Sequence, residues 1–189
     1  MADLKEHLLF AKIKKQDREA FIEAYDLYNA QIYRFIYFKI GNTADAHDIT
    51  SAVFLKAWNH IQEKSVENSD TLKSLFYKIA RNTIIDEYRK SSGFTALSLD
   101  NENFPIDIKD ETKNPAREME IKSDLVLIEE KLLQLKDECR EVIILKYIDE
   151  LSIGEIAKIL DKSRGAVRVL LHRSMKTLRE LVGEGTHNT

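Results

Sequence analysis

The positions of the two prolines constrain most strongly how this chain can fold. Pro105 and Pro115 lie in one segment, which opens with Ser91-Ser92-Gly93 and continues through DNENFPIDIKDETKNP. Helix-breaking residues gathered in one place indicate a linker. On both sides of this segment the apolar residues recur at helical spacing, and the sequence has no pair of alternating runs joined by a hairpin signal. The sequence therefore predicts an all-α protein with two small helical domains joined by a flexible linker.

The predicted boundaries follow from this linker. We place a first domain at residues 1–91, an acidic flexible linker at 92–116, a second domain at 117–183 and a tail at 184–189. A chain of 189 residues is long enough for two small domains. The first domain is predicted to contain a helix capped by Asp17 and ended by Gly41-Asn42. It is followed by a helix capped by Thr43 that reaches about Glu63 and by one capped by Ser69 or Asp70 that reaches about Lys90. The helices predicted in the second domain are 117–134, 138–148, 152–160 and 163–182.

Composition excludes several classes of protein. Hydrophobic residues make up 43% of the chain and charged residues 32%, which is too apolar for a disordered chain and too charged for a membrane protein. The longest apolar runs have four residues, such as Val142–Leu145, whereas a membrane span needs about 20. The single cysteine, Cys139, excludes an internal disulfide and a cysteine-rich zinc site. We therefore expect a soluble, cytoplasmic protein without a membrane span.

The net charge of −3 hides three regions of different sign. Residues 163–179 contain five Lys or Arg and no Asp or Glu, a net charge of +5. Residues 73–90 contain five basic and two acidic residues, a net charge of +3, whereas residues 100–124 contain four basic and eight acidic residues, a net charge of −4. Each predicted domain therefore carries one cationic segment, and nucleic acid is a candidate partner for both.

A helix-turn-helix is predicted between Ser152 and Arg173. Ser152 and Glu155 form a capping box, Asp161-Lys162 makes the turn, and Ser163 caps the second helix. That helix turns Val167, Leu171, Met175, Leu178 and Val182 inward and leaves Arg164, Arg168, His172 and Lys176 on another face. A short helix pair with a cationic second helix suits reading of the DNA major groove. The alternative is an ordinary helical hairpin with a solvated charged face.

The helix predicted from Thr43 carries an apolar residue on its polar side. Its apolar half is Ile49, Val53, Phe54, Ala57, Trp58 and Ile61, and its polar half is Asp45, Asp48, Ser51, Asn59 and Gln62. Leu55 lies in the middle of the polar half. An exposed leucine among polar residues indicates a face that docks on another protein. A scattered surface leucine is the alternative that stays open.

The helix predicted from residue 71 to Lys90 has a second cationic stripe. Lys78, Asn82, Ile85 and Arg89 follow one another at steps of four, three and four. The Asn82 amide can pair with adenine while Lys78 and Arg89 hold phosphates. Tyr77, Arg81 and Tyr88 lie on a neighbouring face, where rings and guanidinium planes can stack on unpaired bases, although core packing is the commoner role of such tyrosines.

Both domains together resemble one protein family. The first-domain segments FIEAYDLYNAQIYRFIYFKIGNTADAHDITSAVFLKAW and LFYKIARNTIIDEYRK and the second-domain segment LKDECREVIILKYIDELSIGEIAKILDKSRGAVRVLLHRSMKTLREL are similar to the extracytoplasmic-function (ECF) sigma factors of bacterial RNA polymerase. The resemblance implies a first domain (sigma region 2) that binds the clamp helices of the β′ subunit and reads and melts the −10 promoter element. It implies a second domain (sigma region 4) that binds the β flap and reads the −35 element.

The resemblance also implies a set of site residues. These are Asp45, Asp48, Ser51 and Leu55 for polymerase binding; Lys78, Arg81, Asn82, Asp86 and Arg89, with the loop 62–70, for the −10 element; and Ser163, Arg164, Arg168, His172, Arg173 and Lys176 for the −35 element. The chain departs from the family pattern at Lys136-Asp137, where Pro-Pro is frequent and Asp137 is expected to cap the next helix instead. Leu170 stands where the family often has arginine.

The function implied by this resemblance is that of an RNA polymerase sigma factor, with core polymerase, promoter DNA and an anti-sigma factor as candidate partners. The alternative is a sigma mimic that only sequesters an anti-sigma factor. An ordinary repressor or activator would leave the first domain unexplained. The sequence has no glycine-rich phosphate loop, no metal-spaced His or Cys cluster and no nucleophile elbow, so we predict no enzyme, no catalytic residue, no metal and no cofactor.

Overall fold

The computed structural model describes residues 2–63, 71–91 and 128–185, and these ranges are helical without a strand. The predicted all-α class is confirmed. The predicted linker lies outside the described residues. The helices are α1 (Ala2–Ile13), α2 (Arg18–Ile40), α3 (Thr43–Gln62), α4 (Leu72–Ser91), α5 (128–133), α6 (Asp137–Ile143), a π-helical turn (Ile144–Ile148), α7 (Ile153–Leu160) and α8 (Arg164–Gly185).

Local capping sets the ends of the helices in the first lobe, α1 to α4. The Asp17 carboxylate accepts a hydrogen bond from the Ala20 N–H at 3.1 Å, and Gly41 ends α2 in the left-handed region at φ 72°, both as predicted. Thr43 was the wrong cap for α3, because the cap precedes the first helical residue. Asn42 takes that place with an extended backbone, and its side chain accepts from the Asp45 N–H at 3.0 Å.

The start of α4 also differs from the prediction. The Thr71 hydroxyl accepts a hydrogen bond from the Ser74 N–H at 3.1 Å, which is the geometry of an N-cap. Ser69 and Asp70, the predicted caps, lie outside the described residues. The cap therefore comes from the residue directly before Leu72.

Aromatic rings fill the core of the first lobe where α2, α3 and α4 meet. Phe76 of α4 is fully buried, and its ring lies 4.9 Å from Phe54 of α3 and 5.4 Å from Tyr28 of α2. Phe21 of α2 packs against Trp58 of α3 at 4.9 Å. Rings at these separations add to the stabilisation from burial. This core fixes the positions of α3 and α4 and leaves their outer sides exposed.

The second lobe, α5 to α8, contains the predicted helix-turn-helix. Ser152 and Glu155 form both hydrogen bonds of a capping box at the start of α7. Asp161 ends α7 with φ 52° and ψ 43°, and the Ser163 hydroxyl accepts from the Ala166 N–H at 3.1 Å at the start of α8. Asp137 does not cap α6 as expected, since the capping position is Lys136, which makes no side-chain cap hydrogen bond.

The two lobes pack against each other. The helices α2 and α4 contact α6, α7 and the π-helical turn, and the buried apolar side chains of both lobes belong to one cluster. Arg140 of α6 joins the ends of two helices, because its guanidinium donates to the carbonyl of Lys39 in α2 at 2.6 Å and to that of Leu132 in α5 at 2.9 Å. Carbonyls in the last turn of a helix lack partners within the helix, so Arg140 satisfies groups that burial would leave unpaired.

Candidate nucleic-acid and protein interfaces

The second helix of the helix-turn-helix turns a row of polar side chains to solvent. We name this row the α8 face, and all its residues are exposed: Ser163, Arg164, Arg168, His172, Arg173 and Lys176. The opposite side of α8 packs on α6 and α7, with Val167 and Ser174 fully buried. Leu170 is half-buried against the core, which accounts for an apolar residue at that place. The packing thus separates a buried side of α8 from a solvent-exposed side that carries the cations of residues 164–176.

Two cations of the α8 face have neighbours on the protein. The Arg164 guanidinium lies beside Gly154 of α7, so that a Cβ there would be 3.5 Å from an Arg164 nitrogen. Lys176 is 3.9 Å from Glu180, one turn further along α8. The pair of Lys176 with Glu180 is at the surface, where ion pairs contribute little to stability. The cations of this face are therefore accessible to a polyanion.

The second cationic row runs along α4. We name it the α4 stripe, and its residues are Lys78, Arg81, Asn82, Asp86 and Arg89. Asn82 and Arg89 are exposed, whereas the other residues are half-buried. Neighbouring helices on both sides restrict access to the half-buried members.

The second lobe covers one end of the α4 stripe. Lys78 Nζ is 2.7 Å from Asp161 Oδ1, at the turn between α7 and α8. Arg81 donates to Glu141 Oε1 of α6 at 2.5 Å and to the Ile159 carbonyl at 3.2 Å. The Glu141 side chain is only 2% exposed, so Arg81, together with Lys39 at 3.8 Å from the other carboxylate oxygen, neutralises a buried carboxylate. Nothing in the sequence indicates this contact, because its partners are 60 to 83 positions apart.

A groove lies beside the other end of the α4 stripe, between α3 and α4. Its volume is about 580 Å³, and its lining includes Asn82, Asp86, Arg89, Asn59 and Lys56. Lys56 forms a 2.8 Å ion pair with Asp86, and this hydrogen bond holds the pKa of the Asp86 carboxyl below its ordinary value. Asp86 is therefore ionised at neutral pH. The groove offers amide, carboxylate and guanidinium groups side by side, a set that can hydrogen-bond base edges.

Tyr77 does not belong to any nucleic-acid surface. It is fully buried, its ring packs edge-on against Phe35 at 5.1 Å, and its hydroxyl donates to Asp149 Oδ2 at 2.8 Å. Base stacking by Tyr77 was therefore wrong, and the core alternative holds. Burial, and then the neighbouring Asp149, raise the pKa of Tyr77 far above its ordinary value, so the hydroxyl stays protonated and donates.

Asp149 is a buried carboxylate that joins the two lobes, a contact that the sequence did not predict. Its side chain has no exposed area, and Arg34 of α2 lies 2.8 Å from the carboxylate. Burial raises the pKa of Asp149, although the hydrogen bonds from Tyr77 and Arg34 oppose that rise. This carboxylate thus belongs to the second lobe but takes its partners from the first.

The outer side of α3 carries the residues predicted to bind polymerase. We name Asp45, Asp48, Ser51 and Leu55 the α3 face, and all are exposed, with Leu55 at 62%. The Ser51 hydroxyl donates to the His47 carbonyl at 3.0 Å, so it is engaged within the helix. A second groove, of about 370 Å³, runs past Asp45 and Asp48 toward Tyr88 of α4. Leu55 is therefore exposed as predicted, and the docking of another protein on this face stays a prediction.

The loop 62–70 is described only at its start. The Gln62 carbonyl accepts a hydrogen bond from the Gln16 side chain at 2.9 Å, which fixes the point where the chain leaves α3. Residues 64–70 lie outside the described part of the chain.

Within 2–63, 71–91 and 128–185 no helix is long and apolar enough to cross a membrane, and no group of three or more His, Cys, Asp or Glu side chains is arranged to hold a metal ion.

Comparisons with known proteins agree with this arrangement. The family model of Sigma-70 region 2 matches residues 24–93, and that of Sigma-70 region 4 matches residues 125–178. The chain is 31% identical over 179 residues to the ECF RNA polymerase sigma factor SigW of Bacillus subtilis, which covers 89% of this chain and 92% of SigW.

Solved structures share the fold. The structure of CnrH in complex with the cytosolic domain of CnrY is similar with a TM-score of 0.68 and 20% identity, covering 95% of this chain and 97% of that chain. The sigma factor RpoE from Bartonella quintana, in complex with the anti-sigma factor NepR, is similar with a TM-score of 0.63 and 21% identity. The match covers 86% of this chain and 96% of that chain. The helical arrangement described above is therefore one that known proteins adopt.

Proposed function

This chain belongs to the ECF sigma factors of RNA polymerase. We propose which of its surfaces binds each promoter element and each polymerase subunit. As a sigma factor it is a transcription initiation factor that binds core polymerase and directs it to promoter DNA. In the proposed division, the α8 face reads the −35 element, the α4 stripe reads the −10 element, and the α3 face binds the clamp helices of the polymerase β′ subunit. The second lobe also binds the β flap.

The exposed cations of the α8 face are the observation that carries the proposal. Residues 163–179 contain five Lys or Arg and no carboxylate, and the packing of α8 turns these cations to solvent. A helix fits the width of the major groove, and arginines near its N-terminus, such as Arg164 and Arg168, reach base edges. Lys176, further along, is suited to a phosphate.

The α4 stripe and the loop 62–70 form the proposed −10 surface. Asn82 and Arg89 are exposed beside the groove between α3 and α4, where an amide and a guanidinium are available to an unpaired base. Lys78 and Arg81 extend the same side of α4 with positive charge. Cations that track a backbone, next to groups that hydrogen-bond bases, are typical of single-strand recognition.

The remaining parts of the proposal concern partners and setting. The protein acts by binding rather than by catalysis, in the cytoplasm, where RNA polymerase works. Its domain limits are 1–91 and 117–183, with a linker at 92–116 and a tail at 184–189. Because RpoE was solved with an anti-sigma factor, an anti-sigma factor is a proposed partner here too. A mimic that only sequestered such a factor would have no use for the exposed cations of the α8 face.

Transcription with purified core polymerase tests the proposed function. The full chain is added to core polymerase and a library of genomic fragments, and the transcripts are sequenced. We expect initiation at a set of sites that share a −35 and a −10 sequence. Polymerase binding without selective initiation would support the mimic instead.

Leu55→Asp tests the α3 face in the same assay. Because Leu55 is 62% exposed, aspartate there should leave the fold intact while it weakens binding to core polymerase by about tenfold or more. The matched control is Leu27→Asp, since Leu27 is 54% exposed on α2, outside the α3 face. A large loss of thermal stability in Leu55→Asp, or equal losses of binding in both variants, would contradict the assignment.

A further inference from the structure

An apolar side chain lies among the polar residues of the α8 face. Val169 is 52% exposed, whereas the other large apolar side chains described on α8 are buried or half-buried. Successive residues of an α-helix are about 100° apart, so Val169 points about 200° away from the fully buried Val167, to the side opposite the core. The packing of α8 on the rest of the protein therefore does not account for a valine at this position.

The surface beside Val169 is open and also lacks polar side chains. A helical side chain covers the turn that precedes it, which here contains Gly165 and Ala166. Both residues are exposed. In the described part of the chain, a Cβ added to Gly165 would meet the Ser163 hydroxyl as its nearest neighbour, 3.8 Å away. Gly165, Ala166 and Val169 thus form a small exposed surface without hydrogen-bonding side chains, which we name the α8 apolar patch.

The base edges in the DNA major groove differ in their chemistry. All four bases present hydrogen-bond donors or acceptors there, and thymine also presents an apolar C5-methyl group. An apolar side chain placed against a polar base edge removes water from it without offering a hydrogen bond, which costs free energy. The same side chain placed against the thymine methyl group removes apolar surface of both partners from water.

We propose that the α8 apolar patch, through Val169, contacts the C5-methyl group of a thymine in the −35 element. Val169 is then a specificity-determining residue. Arg168, directly before it, and Arg173, one turn after it, are exposed on either side and are suited to guanine edges or phosphates. This inference rests on the proposed function of the α8 face and names a base that the middle of that face selects.

The stiffness of the Val169 side chain also suits such a contact. A valine in a helix has one strongly preferred χ1 rotamer. Little rotamer freedom is therefore lost when a base packs against it, whereas a long side chain such as lysine would lose much more. The contact can thus add selectivity for a methyl group at a small cost in conformational entropy.

Removal of single methyl groups from the DNA provides the direct test. The probe is a duplex with the −35 sequence of a promoter found in the transcription assay, in which each thymine is replaced in turn by deoxyuridine. Uracil keeps the hydrogen-bonding groups of thymine and lacks its methyl group. The full chain should bind at least one of these duplexes about threefold to fivefold more weakly than the unmodified duplex, as for one methyl group removed from an apolar contact. Equal affinity for all of them, or a −35 element without thymine, would overturn the inference.

Val169→Ala assigns the effect to this residue. In this variant the same deoxyuridine should weaken binding by less than about 1.5-fold, because the methyl group has lost its partner. The thermal stability of the variant should not change, since Val169 is exposed. Ile22→Ala is the matched control, because Ile22 is a β-branched residue of α2 that is 54% exposed and lies outside both DNA surfaces. An undiminished deoxyuridine effect in Val169→Ala, or an equal reduction in Ile22→Ala, would overturn the inference.

Addition of a methyl group tests the same contact in the other direction. The T·A pair identified with deoxyuridine is changed to C·G, with either cytosine or 5-methylcytosine. The parent chain should bind the 5-methylcytosine duplex about threefold to fivefold more tightly than the cytosine duplex. Val169→Ala should bind the two alike. Equal binding of the two duplexes by the parent chain would contradict a contact with the methyl group itself.

Arg168→Ala separates this inference from the proposed function. This variant should weaken binding of the unmodified −35 duplex, and scrambling of the −35 sequence should do the same for the parent chain. If neither change affects the affinity, the assignment of the α8 face fails and the inference fails with it. If both changes weaken binding and deoxyuridine has no effect at any position, the inference alone is wrong.

Discussion

The α8 face and the α4 stripe carry similar cations in different surroundings. The Lys176 side chain keeps 73% of its area exposed, whereas the Lys78 side chain keeps 33%. Arg168 is exposed, whereas Arg81 is half-buried and holds a carboxylate that is 2% exposed. Both rows lie on long helices with an apolar side that packs on the core.

This difference shows that a cationic helix face can serve two purposes. On α8 the charges contribute little to folding and are exposed to the proposed DNA partner. On α4, Arg81 also balances the buried carboxylate of Glu141 in the other lobe, and Lys78 pairs with the exposed Asp161, so these two charges help to hold the lobes together. Variants of the two rows should therefore differ in stability as well as in DNA binding.

The largest expected effect is on stability. Arg81→Ala removes a charged hydrogen-bond partner of buried Glu141 and should lower the free energy of unfolding by about 2 to 3 kcal/mol. Arg168→Ala, the same change on the exposed α8 face, should stay within about 0.5 kcal/mol. Chemical denaturation of both variants and the parent chain measures this. Equal losses of unfolding free energy in Arg81→Ala and Arg168→Ala would contradict the structural role given to Arg81 on the α4 stripe.

The next effect is on binding of −35 DNA. Arg168→Ala should cost on the order of 1 to 3 kcal/mol and relax the sequence preference, because Arg168 lies where α8 side chains reach base edges. Lys176→Ala should weaken all sequences alike and lower the salt slope by about one phosphate contact. Titrations of duplexes at several salt concentrations distinguish the two. A loss of sequence preference in Lys176→Ala would break this ordering along the helix.

The smallest expected effect concerns pH and the contact between the lobes. Burial tends to raise the pKa of Glu155, but hydrogen bonds from Lys73 and Ser152 outweigh it and hold the pKa below its ordinary value. A carboxyl with a lowered folded-state pKa stabilises the fold above its unfolded-state pKa, and this stability is lost as the pH falls through the folded-state value.

Glu155→Gln keeps a capping-box side chain and removes the charge. Its stability at pH 7 should fall by less than about 1 kcal/mol, since the side chain is 36% exposed and solvent screens the pair. Its loss of stability below about pH 4.3 should be shallower than that of the parent chain. Thermal unfolding between pH 3 and 7 measures both. A steeper loss of stability at acid pH in Glu155→Gln than in the parent chain would contradict a lowered pKa of Glu155 in the folded state.

Local features of the fold followed directly from the sequence. The caps at Asp17, Ser152 and Ser163 and the exposure of Leu55 depend on neighbours within one or two helical turns, which a single sequence contains. The contact between the lobes depends on pairs such as Arg34 with Asp149, which are 115 positions apart.

A charged residue in a sequence does not reveal which distant partner neutralises it. For that reason the covering of Lys78 and Arg81 was not predicted. The choice between base stacking and core packing for Tyr77 stayed open for the same reason, since its hydroxyl donates to Asp149, which is 72 positions away.

Transcription from promoters with one scrambled element tests whether each lobe reads its own promoter element. Parent chain, Asn82→Ala and Arg168→Ala are compared with core polymerase on the intact promoter and on promoters with the −10 or the −35 element scrambled. Asn82→Ala should lose discrimination only at the −10 element, and Arg168→Ala only at the −35 element. Loss of discrimination at the same element in both variants, or at neither element, would contradict the assignment of α4 to the −10 element and α8 to the −35 element.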